Sequence, residues 1–192
     1  PNNPTGSYLK HPELERLSTI CRSRGIALIS DEVFAEYPLT DDDARCPTLG
    51  GNEECLTFVL GGLSKTAGMP QMKVAWLTAS GPGAGQAAQR LELIADTYLS
   101  VSTPVQHALP ALLRHGATVR AQILARTRAN LRTLQRSSLR PLHVEGGWYA
   151  VIPTPRSRPE EDWALYLLEH EQTLTQPGYF YDFESDGWLV LS

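Results

Sequence analysis

Val59-Leu60-Gly61-Gly62-Leu63-Ser64-Lys65-Thr66-Ala67-Gly68 is the stretch on which the reading of this chain turns. The apolar run Leu56 to Leu60 reads as a strand, two glycines break it, and a hydroxyl and a lysine follow side by side. That is a strand delivering an amine to a loop. Lysine does covalent chemistry only as the free amine, so a site that uses it lowers its pKa by burial or neighbouring cations, or holds it as a Schiff base. A lone Ser-Lys pair is more often a solvated surface feature than a reactive one. The segments on either side decide between the two.

Upstream, Ile26-Ala27-Leu28-Ile29-Ser30 is an apolar run without alternation, as expected of a strand covered on both faces in a mostly parallel sheet. It ends in Asp31-Glu32. Ligands of open α/β sheets bind beyond the carboxyl ends of the strands, so these carboxylates are well placed for function. Before the run, Pro12, Glu13 and Glu15 mark a helix start, Leu14, Leu17 and Cys21 share a face, and Gly25 stops the helix. Pro1-Asn2-Asn3-Pro4-Thr5-Gly6 is turn chemistry throughout.

Downstream, Lys73 to Ala79 reads as another strand, Gly81 to Gly85 as a loop, and Ala87 to Tyr98 as a helix. Thr103-Pro104 restarts a helix toward His115, and Arg120 to Arg136 carries an apolar stripe of Ile123, Leu124, Leu131 and Leu134. Gly146 to Ile152 reads as a strand entered through two glycines. Glu160 to Glu171 reads as a short helix, and Gly178 to Ser192 as irregular chain ending in a strand. The order predicts part of an α/β domain followed by a small α+β domain, with the boundary near Ala117 to Arg126.

Composition narrows the functions. The 192 residues are 42% hydrophobic and 20% charged, ordinary for a globular chain. A net charge of -4 gives no overall case for nucleic acid or a membrane surface. Residues 97–144 hold no acid, but no aromatics interleave the arginines, so this basic stretch reads as a solvated helix. Asp41, Asp42 and Asp43 lack the spacing of a calcium loop and read as a solvated turn. Cys21, Cys46 and Cys55 form no CxxC pair, which suits reduced thiols of a cytoplasmic protein. No apolar run is long enough to span a bilayer. A start at Pro1 and a stop within Trp188-Leu189-Val190-Leu191 read as a piece of something longer.

Four segments then fall into one pattern. Asn3-Pro4-Thr5-Gly6, Asp31-Glu32-Val33-Phe34, Leu63-Ser64-Lys65 with Pro70 to Trp76, and Glu145-Gly146-Gly147-Trp148 resemble, in order and spacing, the class I/II aminotransferases of pyridoxal-phosphate fold type I, the aspartate aminotransferase-like proteins. The resemblance covers the chain. It implies a large α/β/α cofactor domain with a mostly parallel sheet, of which residues 1–120 are the later part, and a truncated small α+β domain over residues 121–192. It further implies pyridoxal 5'-phosphate as cofactor, amino-acid and 2-oxo-acid substrates, and a homodimer at full length.

By the same resemblance Lys65 sits at the Schiff-base position and moves the substrate α-proton, and Asp31 partners the pyridine nitrogen. Asn3 matches the hydrogen-bond donor to the ring 3'-oxygen, and Ser64 and Lys73 match phosphate contacts. There are departures. Phe34 stands where the family usually has tyrosine, Gly62 where a hydroxyl is common, Lys73 where arginine is usual, and Val190 where an arginine commonly clamps the substrate carboxylate. Valine cannot bind a carboxylate. A carbon-sulfur β-lyase, which uses the same lysine and aspartate, and the aminotransferase-like sensing domain of a transcription regulator are the alternatives.

Overall fold

In the computed structural model, which describes residues 1–98 and 101–192, the apolar run before Asp31 pairs with the run before Lys65. Strands β1 (Leu28–Asp31) and β2 (Thr57–Gly62) are parallel, with Leu28 opposite Thr57 and Asp31 opposite Leu60. Strand β3 (Ala75–Ser80) lies antiparallel on the other side of β2, with Gly62 opposite Ala75. β2 is therefore the central strand, and its Thr57, Val59, Gly61 and Gly62 are buried. Helix α1 (His11–Arg24) precedes β1. Pro12 and Glu13 suit its first turn, and Gly25 adopts the left-handed conformation (φ 63°) that ends it.

The chain divides into two compact units. One comprises Leu9–Glu36 and Asp42–Ile123, and the other Pro1–Tyr8, Tyr37–Asp41 and Leu124–Ser192. The first holds α1, β1 to β3, helix α2 (Leu63–Thr66), helix α3 (Ala84–Thr97) and the start of helix α4 (Thr103–Arg136). Its core around the lysine turn is Leu63, Ala67 and Val74, packed by Met69, Trp76 and Leu112.

Two sequence expectations change here. The helix expected to stop near His115 and restart at Arg120 is one helix, α4, and Gly116 lies inside it. Gly116 is buried because α4 passes so close to α2 that a Cβ there would overlap the Ala67 methyl and come within 3.1 Å of the Ala67 Cα. The glycine marks a close approach and not a break. Gly116→Ala therefore lowers stability by about 1–3 kcal/mol, overpacking outweighing the gain of about 1 kcal/mol in helix propensity, as a fall in urea midpoint will show. The second change concerns β1. Among the described residues β1 has a strand on one side only, and Ile29, expected to be covered, is 70% exposed.

In the other unit, strands β4 (Ala150–Pro153), β5 (Gln176–Pro177) and β6 (Trp188–Leu191) form an antiparallel sheet in the order β4-β6-β5, with helix α5 (Glu160–Glu171) between β4 and β5 in sequence. The strand expected from Gly146 begins only at Ala150. The segment before it ties three stretches of chain together. The Glu145 carboxylate accepts from the Tyr8 N–H at 2.7 Å, its carbonyl accepts from the Leu39 N–H at 2.8 Å, and Gly147 N–H donates to the Tyr37 carbonyl at 3.0 Å. A Cβ on Gly146 would run into the Tyr8 ring and the Tyr37 carbonyl. Backbone spent on these contacts is not free for a β ladder.

Candidate functional site

Lys65 sits on a single helical turn and not on the expected loop. Leu63 explains the difference: its side chain is fully buried, its N–H donates to the Val74 carbonyl at 3.0 Å, and its carbonyl accepts from Ala67 (3.2 Å) and Met69 (3.1 Å). Pinned at both ends, Leu63–Thr66 winds into α2 with Ser64 and Lys65 half-buried upon it. Gly62 leads in with extended backbone, and a Cβ there would meet the Val74 carbonyl at 3.2 Å and Ala75 at 3.4 Å. The position leaves little room for the larger hydroxyl residue that the family resemblance would put there.

Asp31 ends β1, exposed, one strand away from β2, which leads into α2. Its Oδ1 accepts from the Val33 N–H at 3.1 Å, a local turn that folds the next residues back. That turn carries Phe34, and the Lys65 Nζ lies 5.6 Å from the centroid of its buried ring. A cation over an aromatic face is held by the ring quadrupole, by about 0.5–1 kcal/mol at exposed sites and more when desolvated. Phe34 entered the sequence reading only as a missing hydroxyl. Its ring as a neighbour of the lysine had no sequence signal, since the contact joins two elements 31 positions apart.

The adjacent acid has a different task. Glu32 Oε1 accepts from the Leu49 N–H at 2.7 Å and from Ser30 Oγ at 3.2 Å, so it anchors the loop that leads to β2. Of the pair Asp31-Glu32, Asp31 is the one left facing outward. Lys73 is exposed in the left-handed conformation (φ 51°) at the end of the short 3-10 turn Pro70–Met72. It directly precedes Val74, whose carbonyl holds the start of α2. Asp31, Ser64, Lys65 and Lys73 thus belong to one unit, three of them at or just beyond the carboxyl ends of adjacent parallel strands.

Asn3 and Val190 belong to the other unit. Asn3 is exposed in a turn closed by the Gly6 N–H on the Asn2 carbonyl at 2.8 Å. Val190 is 2% exposed in β6, between Val151 of β4 and Gln176 of β5. It is a core residue. Tyr37 is fully buried and edge-on to Trp148 at 5.1 Å. Among the described residues no His, Cys, Asp and Glu cluster of three or more could hold a metal, and no helix is long and apolar enough to cross a membrane. Asp42, of the acidic turn, is paired with Lys10, which with the Ala44 N–H holds its carboxyl below the usual carboxylate range.

The donor chemistry suits pyridoxal phosphate. A carboxylate answers a pyridine N–H, a primary amine answers an aldehyde, and a hydroxyl with a cation answers a phosphate. One unit supplies all four from β1, α2 and the turn after it.

Known proteins point the same way. The profile of the family described as aminotransferase class I and II matches residues 1–191. The L-aspartate:5-guanidino-3-methyl-2-oxopentanoate transaminase of Pseudomonas syringae pv. syringae is 26% identical over 132 residues, 69% of this chain and 33% of that protein. The glutamate-pyruvate aminotransferase AlaA of Escherichia coli K12 is 30% identical over 115 residues, 59% of this chain and 28% of that protein. The crystal structure of an aspartate aminotransferase from Thermotoga maritima superposes with a TM-score of 0.80 at 24% identity, covering 100% of this chain and 49% of that one. Where a curated relative aligns over the whole chain, the chain spans about half its length, 50%. The chain belongs to the class I and II aminotransferases, a pyridoxal-phosphate-dependent family, and has part of the fold type I architecture.

Proposed function

We propose that the chain is the lysine-bearing part of an aminotransferase that moves an amino group between an amino acid and a 2-oxo acid. The observation that carries this reading is the pair of adjacent parallel strands whose carboxyl ends lead to Asp31 and Lys65, with Phe34 joining the two through its ring. In this reading Lys65 Nζ would hold the cofactor and would be the base that moves the α-proton of the amino substrate. Pyridoxal phosphate, when bound, supplies the electron sink for that proton's departure. Asp31 would hold the proton on the ring nitrogen, and Ser64 Oγ and Lys73 Nζ would take the phosphate; Asn3, the family's match for the contact to the ring oxygen, is proposed from its motif alone.

Residues 1–120 make up the later part of the cofactor-binding domain and residues 121–192 the small domain, in a full-length homodimer of the cytoplasm. The named relatives are transaminases, which favours amino transfer over β-elimination or ligand sensing. The substrate carboxylate is bound by a group other than residue 190, since that position is an apolar core site.

The test uses the full-length protein with added pyridoxal phosphate, borohydride reduction and peptide mapping by mass spectrometry. The expected result is a phosphopyridoxyl adduct on Lys65. An adduct confined to Lys10 or Lys73, or none with the fold intact, overturns the reading.

A further inference from the structure

Phe34 places a buried ring beside the amine on which the proposed chemistry depends. The turn that carries it is tied down through its backbone. The Glu32 N–H donates to the Leu60 carbonyl at 2.9 Å, at the end of β2, the Ala35 N–H donates to the Glu32 carbonyl at 2.9 Å, and the Asp31 carboxylate accepts from the Val33 N–H at 3.1 Å. The Phe34 residue is 7% exposed. Lys65 stands on α2, which Leu63 pins to the Val74 carbonyl at 3.0 Å. Two anchored pieces of backbone therefore set Nζ over the ring, 5.6 Å from its centroid, inside the reach of about 6 Å over which an aromatic face attracts a cation. The attraction is selective. It arises between a full charge and the ring quadrupole, so it holds an ammonium and gives nothing comparable to a neutral amine.

We propose that Phe34 is a positioning residue for proton transfer, holding Lys65 while its amine carries the substrate α-proton. The inference rests on the aminotransferase reading above. In the step concerned the substrate α C–H bond breaks and an N–H bond forms at Nζ, while the electron pair stays with the substrate. The neutral amine becomes an ammonium at that moment, and the ring face is already in place to meet the new charge. The role needs a face and not a hydroxyl. Tyrosine at position 34 keeps it, whereas leucine fills the space without a quadrupole.

The test has two readouts on the full-length protein. In the first, lysines of the protein freed of cofactor are reductively methylated with 13C-formaldehyde, and the Lys65 signal is assigned by its loss in K65R. The ring current displaces the Lys65 methyl resonance upfield of those of Lys10 and Lys73 in the wild type and in F34Y, and the displacement disappears in F34L. In the second, F34L lowers kcat by about two- to fivefold, the range expected for loss of a cation–π contact, with KM for the amino donor unchanged. The isotope effect of an α-deuterated amino donor on kcat grows in F34L, because proton transfer is the step that slows, and F34Y restores kcat. The wild-type spectrum decides the contact whatever the fate of F34L. The proposal is overturned if the Lys65 resonance is undisplaced in the wild type, or if F34L loses the displacement yet keeps kcat and the isotope effect. A displaced resonance with no phosphopyridoxyl adduct on Lys65 overturns the aminotransferase reading, and this proposal with it, while leaving the contact itself established.

Discussion

Lys65→Ala in the full-length protein lowers transamination by about 10⁴-fold or more, since one side chain is asked to be both covalent anchor and proton carrier. The other two lysines of this chain, Lys10 and Lys73, serve as controls. Lys10, just before α1, is paired with Asp42 in the loop after β1, and Lys10→Ala leaves turnover near the wild-type value. Lys73→Ala raises the pyridoxal phosphate concentration needed for half-maximal activity but spares the rate at saturation, because a phosphate contact contributes binding and not proton transfer. Lys65→Arg is as inactive as Lys65→Ala, because guanidinium keeps its positive charge and cannot act as a free amine. The paired measurement is steady-state turnover with an amino donor and a 2-oxo acid, alongside the reduced adduct. Appreciable turnover in Lys65→Ala would remove Lys65 from the chemistry whatever the family.

What could be read in advance followed the type of force involved. Apolar runs ahead of Asp31 and Lys65 are short-range signals, and both became strands. The ordered motifs around Asn3, Asp31, Lys65 and Glu145 likewise sufficed for the family. The misreadings all came where a distant contact set the local shape. Residues 103–115 and 120–136 read as separate helical stretches until Ala67 is seen against Gly116, and Gly146-Gly147 reads as a flexible strand start until Tyr8 and Tyr37 are seen to fill the space. Leu63 turns an expected loop into α2 through the Val74 carbonyl, a partner supplied by the chain's own return. The Phe34 ring beneath Lys65 belongs to the same class: its chemistry was visible, its neighbour was not.

Glu160→Ala costs about 3–5 kcal/mol of stability, the largest structural effect expected of a single substitution here. The residue opens α5 as the first of three acids, which in sequence suggests nothing beyond a favourable interaction with the helix dipole. In the fold it is 4% exposed and turned inward. Its Oε1 accepts from the Tyr179 N–H at 2.6 Å, and its Oε2 accepts from the Gly187 and Trp188 N–H groups at 2.9 and 2.8 Å. One carboxylate thereby satisfies three backbone donors from the turn after β5 and the start of β6. Alanine would orphan the Tyr179 and Trp188 N–H groups and leave the Gly187 N–H with Asp186 Oδ1 alone, at 2.8 Å. Glu160→Gln keeps the shape but sets an amide NH₂ against at least one of those N–H groups, for a loss of about 2–3 kcal/mol. Glu161 is the control on the same turn: exposed, and bonded to the Tyr179 hydroxyl at 3.1 Å, so Glu161→Gln should change stability by no more than about 0.5 kcal/mol. Urea titration of the three variants reads the order directly. Because β6 is the middle strand and holds Val190 between β4 and β5, loss of its anchor should loosen the whole sheet, and hydrogen exchange at Leu189 and Leu191 should speed up with the fall in midpoint. If Glu160→Gln and Glu161→Gln proved equally mild, the three N–H groups would have to find other acceptors, and α5 rather than its first side chain would be what holds β6 in place.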